Sequence, residues 1–308
     1  MSSFICDITS ADKALLQQTL SHWRPQSKNY EDSWGYIIQA TRHMGGRWYD
    51  PATKSLVFFC RKPFDYNTLV IPNFFAESKH LKNIIEELHS TFNISQTVLK
   101  NINPQDIKKF AKYGFRQYYD NEQWDEFARF DDQTYPQLII DLKVLAENKG
   151  GELRHLKKNL RKSPSISIRR YNDKDRDAVL FIFRKKDTNK LLPKQFWNMY
   201  YESHKMYPDA DIDKFVITDK KTEKILGFTA TSDISSAATA IVAALFIPYI
   251  KVESIWGIYH TLLRKYEQGF RFANVGGFET EGTYTFVRGT FRPMGELPKT
   301  HLVYEYKK

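Results

Sequence analysis

The run from Ala237 to Ile250 limits the possible folds more than any other segment. It is apolar apart from Thr239 and closes at Pro248. A membrane-crossing helix needs about 20 apolar residues, so the run is too short to span a bilayer and reads as a buried strand ended by its proline. Glu253 to Gln268 follows as a helix, with Ile255, Ile258, Tyr259, Leu262 and Leu263 on its inner face. A strand at Arg271 to Val275 comes next. Upstream, strands at Lys214 to Thr218 and Ile225 to Ser232 are joined by a turn at Lys220 and Lys221.

The rest of this half fits the same scheme. Ser165 to Arg170 alternates as a strand, Asp173 is expected to cap a helix reaching Arg184, and Pro193 opens another helix carrying Phe196, Trp197 and Tyr200. His301 to Tyr306 reads as the last strand. The order is strand, helix, helix, three strands, helix, strand, strand.

A chain of 308 residues exceeds one ordinary core, so two domains are expected. The N-terminal half supplies the first. It opens with a strand at Phe4 to Ile8 and a helix capped by Ser10 with Leu15, Leu16 and Leu20 on one face. Strands at Arg47 to Tyr49, Ser55 to Arg61 and Thr68 to Pro72 precede a helix over Ser78 to Thr91. A strand at Thr97 to Leu99, a helix opening near Asn103-Pro104 and a strand around Phe115 to Tyr119 follow. Pro136 is then expected to start a helix carrying Leu138, Ile139, Leu142 and Leu145, stopped by Gly150-Gly151.

Charge divides unevenly along the chain. Residues 1–150 hold 18 basic and 18 acidic side chains, so the net +10 falls entirely in the remainder. Between 152 and 190 there are 13 Lys/Arg against 5 Asp/Glu. Within Glu152 to Lys162, Leu153, Leu156 and Leu160 form an apolar seam, and Arg154, Lys158 and Arg161 form a basic stripe. Such a stripe suits a polyanion such as RNA, a cofactor phosphate or an anionic membrane. Cys6 and Cys60 sit in strand-like segments without CxxC spacing and are expected to be buried, reduced thiols; no metal is expected. The first residues lack a basic segment followed by an apolar one, so a cytoplasmic location is expected.

One stretch carries a resemblance. Residues 274–293 read Asn-Val-Gly-Gly-Phe-Glu-Thr-Glu-Gly-Thr-Tyr-Thr-Phe-Val-Arg-Gly-Thr-Phe-Arg-Pro. This resembles the signature near the C-terminus of the tandem-GNAT aminoacyltransferases: a strand ending in Asn, a Gly-Gly turn, acidic residues, then Gly282, Tyr284, Phe286, Arg288 and Phe291. Tyr135 to Lys162 is similar to the segment joining the two domains in the phosphatidylglycerol lysyltransferase C-terminal family. Ile8 to Asp12 and Ser27 to Trp34 resemble that family's first domain more loosely.

The resemblance implies an α/β (α+β) chain of two tandem GNAT (acyl-CoA N-acyltransferase-like) domains, each a mixed central sheet flanked by helices. The domains would be residues 1–133 and 164–308, joined by connecting helices over 134–163, with the active site in the second. This sequence departs from the family in showing no transmembrane region ahead of the domains and no long coiled-coil arm.

The activity implied is transfer of an aminoacyl group from a charged tRNA to an amine, hydroxyl or lipid-headgroup acceptor. Aminoacyl-tRNA would be co-substrate, no further cofactor is expected, and peripheral membrane contact stays open. An aminoacyl ester is already activated, so the protein must position an amine against the carbonyl and handle a proton. Glu279, Glu281 and Asp233 are the candidate proton-handling or ammonium-binding carboxylates. Asn274, Gly276, Gly277, Tyr284 and Arg288 are candidate substrate-binding residues, Arg288 for a phosphate or oxyanion. Packing is the plainer reading of Tyr284 and Phe286, and backbone geometry that of the glycines. Arg154, Lys157, Lys158 and Arg161 are the candidate tRNA contacts. Acetyl-CoA is disfavoured, because Phe246 to Gly257 lacks a glycine-rich phosphate-binding turn and Glu253 would repel a phosphate. An acyl-CoA-dependent N-acyltransferase and a non-catalytic RNA- or membrane-binding module are the alternatives.

Overall fold

The structure is a computed structural model. It describes residues 4–41, 45–62, 65–118, 135–147, 156, 158, 161, 165–187, 212–246, 251–276 and 281–306. In chain order, the first part runs β1 (Phe4–Asp7), α1 (Asp12–Trp23), α2 (Trp34–Ala40), β2 (Gly46–Asp50), β3 (Ser55–Lys62), β4 (Asp65–Phe75), α3 (Ser78–Phe92), β5 (Gln96–Ile102), α4 (Ile107–Ala111) and β6 (Arg116–Gln117). The second runs β7 (Gln137–Asp141), α5 (Leu142–Glu147), β8 (Ile166–Arg170), α6 (Arg176–Asp187), β9 (Asp213–Asp219), β10 (Ile225–Ser235), β11 (Ala238–Phe246), α7 (Lys251–Glu267), β12 (Phe272–Asn274), α8 (Glu281–Phe291), β13 (Gly295–Leu297) and β14 (Thr300–Glu305).

The strands form two seven-stranded mixed sheets, ordered β1-β2-β3-β4-β5-β14-β6 and β13-β7-β12-β11-β10-β9-β8. The strand expected from the long apolar run is β11, and its burial on both faces explains why polar residues hardly interrupt it. The first sheet packs its outer face on α3, through Leu81, Ile84, Ile85 and Leu88. The second packs its outer face on α5, α7 and α8, through Leu142, Ile255, Leu262, Val287 and Phe291.

Between the sheets lies one continuous core. Leu56, Phe58 and Phe75 of the first sheet belong to the same buried cluster as Val216, Phe228, Ala240 and Val242 of the second, with Trp34, Ile37 and Ile38 of α2 among them. The helix α2 is pinned there: the Gly35 N–H donates to Ser232 Oγ at 2.9 Å and Gln39 Nε2 donates to the Val242 carbonyl at 3.4 Å.

The structure differs from expectation in four places. The helix expected from Pro136 is instead strand β7 followed by the short helix α5. Gln137 to Ile140 are buried as an inner strand, and a strand covered on both faces passes into a helix with the same apolar spacing as one long helix. The sheets also do not divide at 133 and 164. The strand β7 belongs to the second sheet, and β14, the last strand, crosses back to lie between β5 and β6 of the first. Cys60 is buried as expected, but Cys6 is exposed. Finally, the helical turns leading into α6 are capped by Asn172, in a reciprocal capping box with Asp175, one residue before the expected Asp173. The helix expected from Pro193 lies outside the described residues.

Candidate functional site

Each sheet contains one parallel pair of inner strands that part company. In the second sheet β11 and β12 pair only from Ala238–Ala240 to Phe272–Asn274. The chain after Asn274 stays with β7, where Val275 N–H donates to the Leu138 carbonyl at 3.0 Å and Leu138 N–H to the Gly276 carbonyl at 3.3 Å. Meanwhile β11 continues to Phe246. A wedge therefore opens beyond Asn274.

The first sheet has the same divergence. The strands β4 and β5 pair from Thr68/Gln96 to Ile71/Leu99. Pro72, which has no N–H to offer a ladder, comes next in β4. From there β4 follows β3 as far as Phe75, and β5 follows β14 as far as Ile102. This wedge is bridged by its own chain. Asn73 on β4 donates to the Glu31 carbonyl at 2.5 Å and to Asp32 at 3.0 Å, and Asn101 on β5 donates to the Tyr36 hydroxyl at 2.6 Å. Residues 247–250 and 277–280, which border the second wedge, lie outside the described residues.

The candidate residues fall into separate groups. Asn274 closes β12 and faces the first sheet. Its amide donates to the Lys28 carbonyl at 2.7 Å and to Gln137 Oε1 at 2.8 Å, and its oxygen accepts the Gly276 N–H at 2.8 Å. All three polar positions of the amide are thus used inside the protein. Gly276 has φ +77°, and a Cβ there would meet the Tyr30 ring at 3.4 Å, so backbone conformation and close approach together favour glycine. The chain of bonds runs on: Gln137 Nε2 donates to Glu31 Oε2 at 2.9 Å, and Glu31 Oε1 is ion-paired to Lys299, with both residues 6% exposed at the side chain. Asn274 and Gly276 therefore help lock the two sheets together.

Asp233 lies at the other end of the second sheet from the wedge. It pairs in register with Thr239, where β11 begins, and α7 returns from the far end of β11 to bring Lys265 to it. Lys265, 1% exposed, holds Asp213 at 2.8 Å and Asp233 at 3.0 Å. Asp233 and Glu281 are not brought together.

Glu281 is exposed at the first position of α8. Tyr284 is half-buried, stacked on Tyr135 with ring centroids 5.2 Å apart. Partial burial and a hydrogen bond to Glu296 hold its phenol above the ordinary value. Arg288 is ion-paired to Glu296 at 2.7 Å and lies 5.9 Å from the Tyr284 ring centroid. In the basic stripe, Leu156 is buried in the cluster that holds α7 and α8, while Lys158 and Arg161 are exposed. Gly277, Glu279, Arg154 and Lys157 lie outside the described residues.

Sequence reasoning missed a groove of about 360 Å³ lined by Thr285, Arg288, Gly289, Arg292, Pro293 and Glu296. The first four of these recur at i, i+3, i+4 and i+7, which would have marked one helical face had 281–291 been read as a helix. Among the described residues no group of three or more His, Cys, Asp or Glu is placed to hold a metal, and no helix is long and apolar enough to cross a membrane.

No family model and no curated protein sequence matches the chain. Solved structures do. A conserved protein of unknown function from Bacteroides thetaiotaomicron aligns with TM-score 0.75 at 13% identity, covering 98% of this chain and 99% of that one. FemX aligns with TM-score 0.66 at 10% identity, covering 99% and 98%. L-PGS from Bacillus licheniformis aligns with TM-score 0.58 at 11% identity, covering 96% and 93%. At these identities the likeness is one of fold. The two bonded sheets, each with its parting pair of parallel strands, give this chain the tandem GNAT-type fold that it shares over nearly its whole length with FemX and L-PGS.

Proposed function

We propose that the chain is an acyltransferase of the aminoacyl kind, moving an aminoacyl group from a charged tRNA to an amine, hydroxyl or lipid-headgroup acceptor in the wedge of the second sheet. The observation that carries this reading is the asymmetry of the two wedges: the first is bridged by Glu31 to Tyr36, whereas the motif-bearing segment leads out of the second. In open sheets ligands collect beyond the carboxyl ends of parallel strands, where backbone groups are released from the ladder. The names of two fold relatives, FemX and L-PGS, agree with an aminoacyl donor.

The chemistry needs little equipment. The acceptor's lone pair attacks the ester carbonyl, the acceptor loses a proton, and the ribose oxygen leaves with a proton. Glu281 stands at the start of α8, on the segment that leaves the wedge, and with Glu279 it is the carboxylate we assign to proton transfer or to holding an ammonium. Asp233, fixed by Lys265 at the opposite end of the sheet, drops out of that role. Arg288 lies seven residues along α8 from Glu281, about 10 Å at the helical rise, so it serves binding rather than the oxyanion.

Incubation with a pool of charged tRNAs and candidate acceptors, following ester loss and product mass, tests the proposal. Glu279→Gln and Glu281→Gln should lower transfer by about 10²-fold or more for whichever is the base. Thermal stabilisation by acetyl-CoA and none by aminoacyl-tRNA would replace this reading with an acyl-CoA-dependent one.

A further inference from the structure

The outer face of α8 is built unlike a face that merely meets water. Val287 and Phe291 anchor the helix from below, and Glu281, Thr285, Arg288 and Arg292 form an exposed row above. Gly289 lies within that row, and a Cβ at Gly289 would meet nothing within 4 Å. Neither packing nor a positive φ calls for glycine there, and glycine is among the least favourable residues in a helix interior. Arg292 is out of character in the opposite sense. It follows the last residue of α8 with φ +49°, a conformation that favours Gly or Asn, yet it carries a guanidinium into the groove. Arg292 has no ion-pair partner among the described residues, whereas Arg288 is held by Glu296. The groove thus has a bare floor and two cations one helical turn apart, against one carboxylate.

We propose that this face of α8 is the track along which the single-stranded end of an RNA lies, with Arg292 and Arg288 on successive phosphates and Gly289 admitting the sugar–phosphate backbone close to the helix. The row from Arg292 to Glu281 spans about 16 Å at the helical rise, so it suits a chain-like anion that ends near the wedge. It carries no apolar side chain for an acyl tail, which separates it from a lipid site. Lys158 and Arg161 extend the positive charge over the same helical layer, because Leu156 shares the cluster that holds α8. The direction of the RNA, reactive end toward Glu281, rests on the function proposed above; the track itself does not.

Anisotropy of a short fluorescein-labelled single-stranded oligoribonucleotide, titrated with the full chain at several salt concentrations, tests this. Arg292→Gly removes the cation and relieves the left-handed backbone. It should weaken binding about tenfold and reduce the log–log salt slope by about 0.7, with the melting temperature unchanged or raised. Arg292→Lys should keep the slope. Gly289→Leu should stabilise the helix and weaken binding by filling the floor.

Unchanged affinity and slope in Arg292→Gly would overturn the track, as would a loss seen with phosphatidylglycerol vesicles but not with RNA. Aminoacyl transfer separates this outcome from failure of the proposed function. Transfer with a raised KM for tRNA in Arg292→Gly supports both. RNA binding that depends on Arg292, in a protein that transfers nothing, keeps the track and sinks the transferase.

Discussion

Replacing Lys299 by Met should destabilise the protein by about 3–5 kcal/mol, the cost of removing one partner from a buried ion pair. Lys299 and Glu31 are each 6% exposed, so water cannot take over the lost contact. Methionine keeps much of the lysine stem while deleting its charge. The Glu31 carboxylate would remain buried with the Gln137 amide, and Asn29 Oδ1 would lose its 3.3 Å contact to Lys299.

At about 2 cal/mol/K per residue, unfolding entropy for a chain of this size converts that cost to a fall in Tm of roughly 5–8 °C. Urea unfolding followed by tryptophan fluorescence reads the same quantity. Glu31→Gln combined with Lys299→Met deletes both charges and should recover more than half of the loss, giving a clear coupling in a double-mutant cycle. A loss under about 1 kcal/mol for Lys299→Met is the value of a solvated surface pair. That result would refute the buried clasp, as would a double variant no more stable than the single one.

Two further outcomes can be checked on the same material. Gly35→Ala places a Cβ 2.9 Å from Ser232 Cβ and 3.0 Å from a Val242 methyl, so it should cost about 1–3 kcal/mol by overpacking; a raised melting temperature would show that α2 is not pinned between the sheets. Burial lowers the His89 imidazole from 6.5 to about 4, so the stability from its neutral form is complete above pH 6.5 and is lost as pH falls toward 4. Between pH 7 and 4.5 the protein should lose about 2–3 kcal/mol more than His89→Gln does, and equal losses by the two in calorimetry would remove His89 from the acid response.

Most of the second sheet was legible because its residues obey single local rules. The strand β11 is apolar from end to end, and α7 repeats its apolar face at helical spacing. The strand β7 was misread because Leu138, Ile139, Leu142 and Leu145 satisfy helical spacing while Gln137 to Ile140 are buried as an inner strand; only the neighbours β12 and β13 decide between these. Asn274 stood out correctly, but its role depends on Lys28 and Gln137, more than a hundred residues away along the chain. Arg292 was invisible for another reason. Its interest lies in a positive φ and a groove, and a string of residues displays neither. Asp233 looked like a free carboxylate because Lys265, its partner, comes to it only through the return of α7.

The crossing of β14 bears on how the chain can be made. Thr300 to Glu305 insert between β5 and β6, not at an outer edge, so the first sheet is incomplete until these residues leave the ribosome. Until then β5 presents Thr97, Val98 and Leu99 on an unpaired side, the kind of edge that recruits foreign strands. The nascent N-terminal part is therefore a natural client for chaperones, and a chain cut before Thr300 would lose the sheet farthest from the cut in sequence.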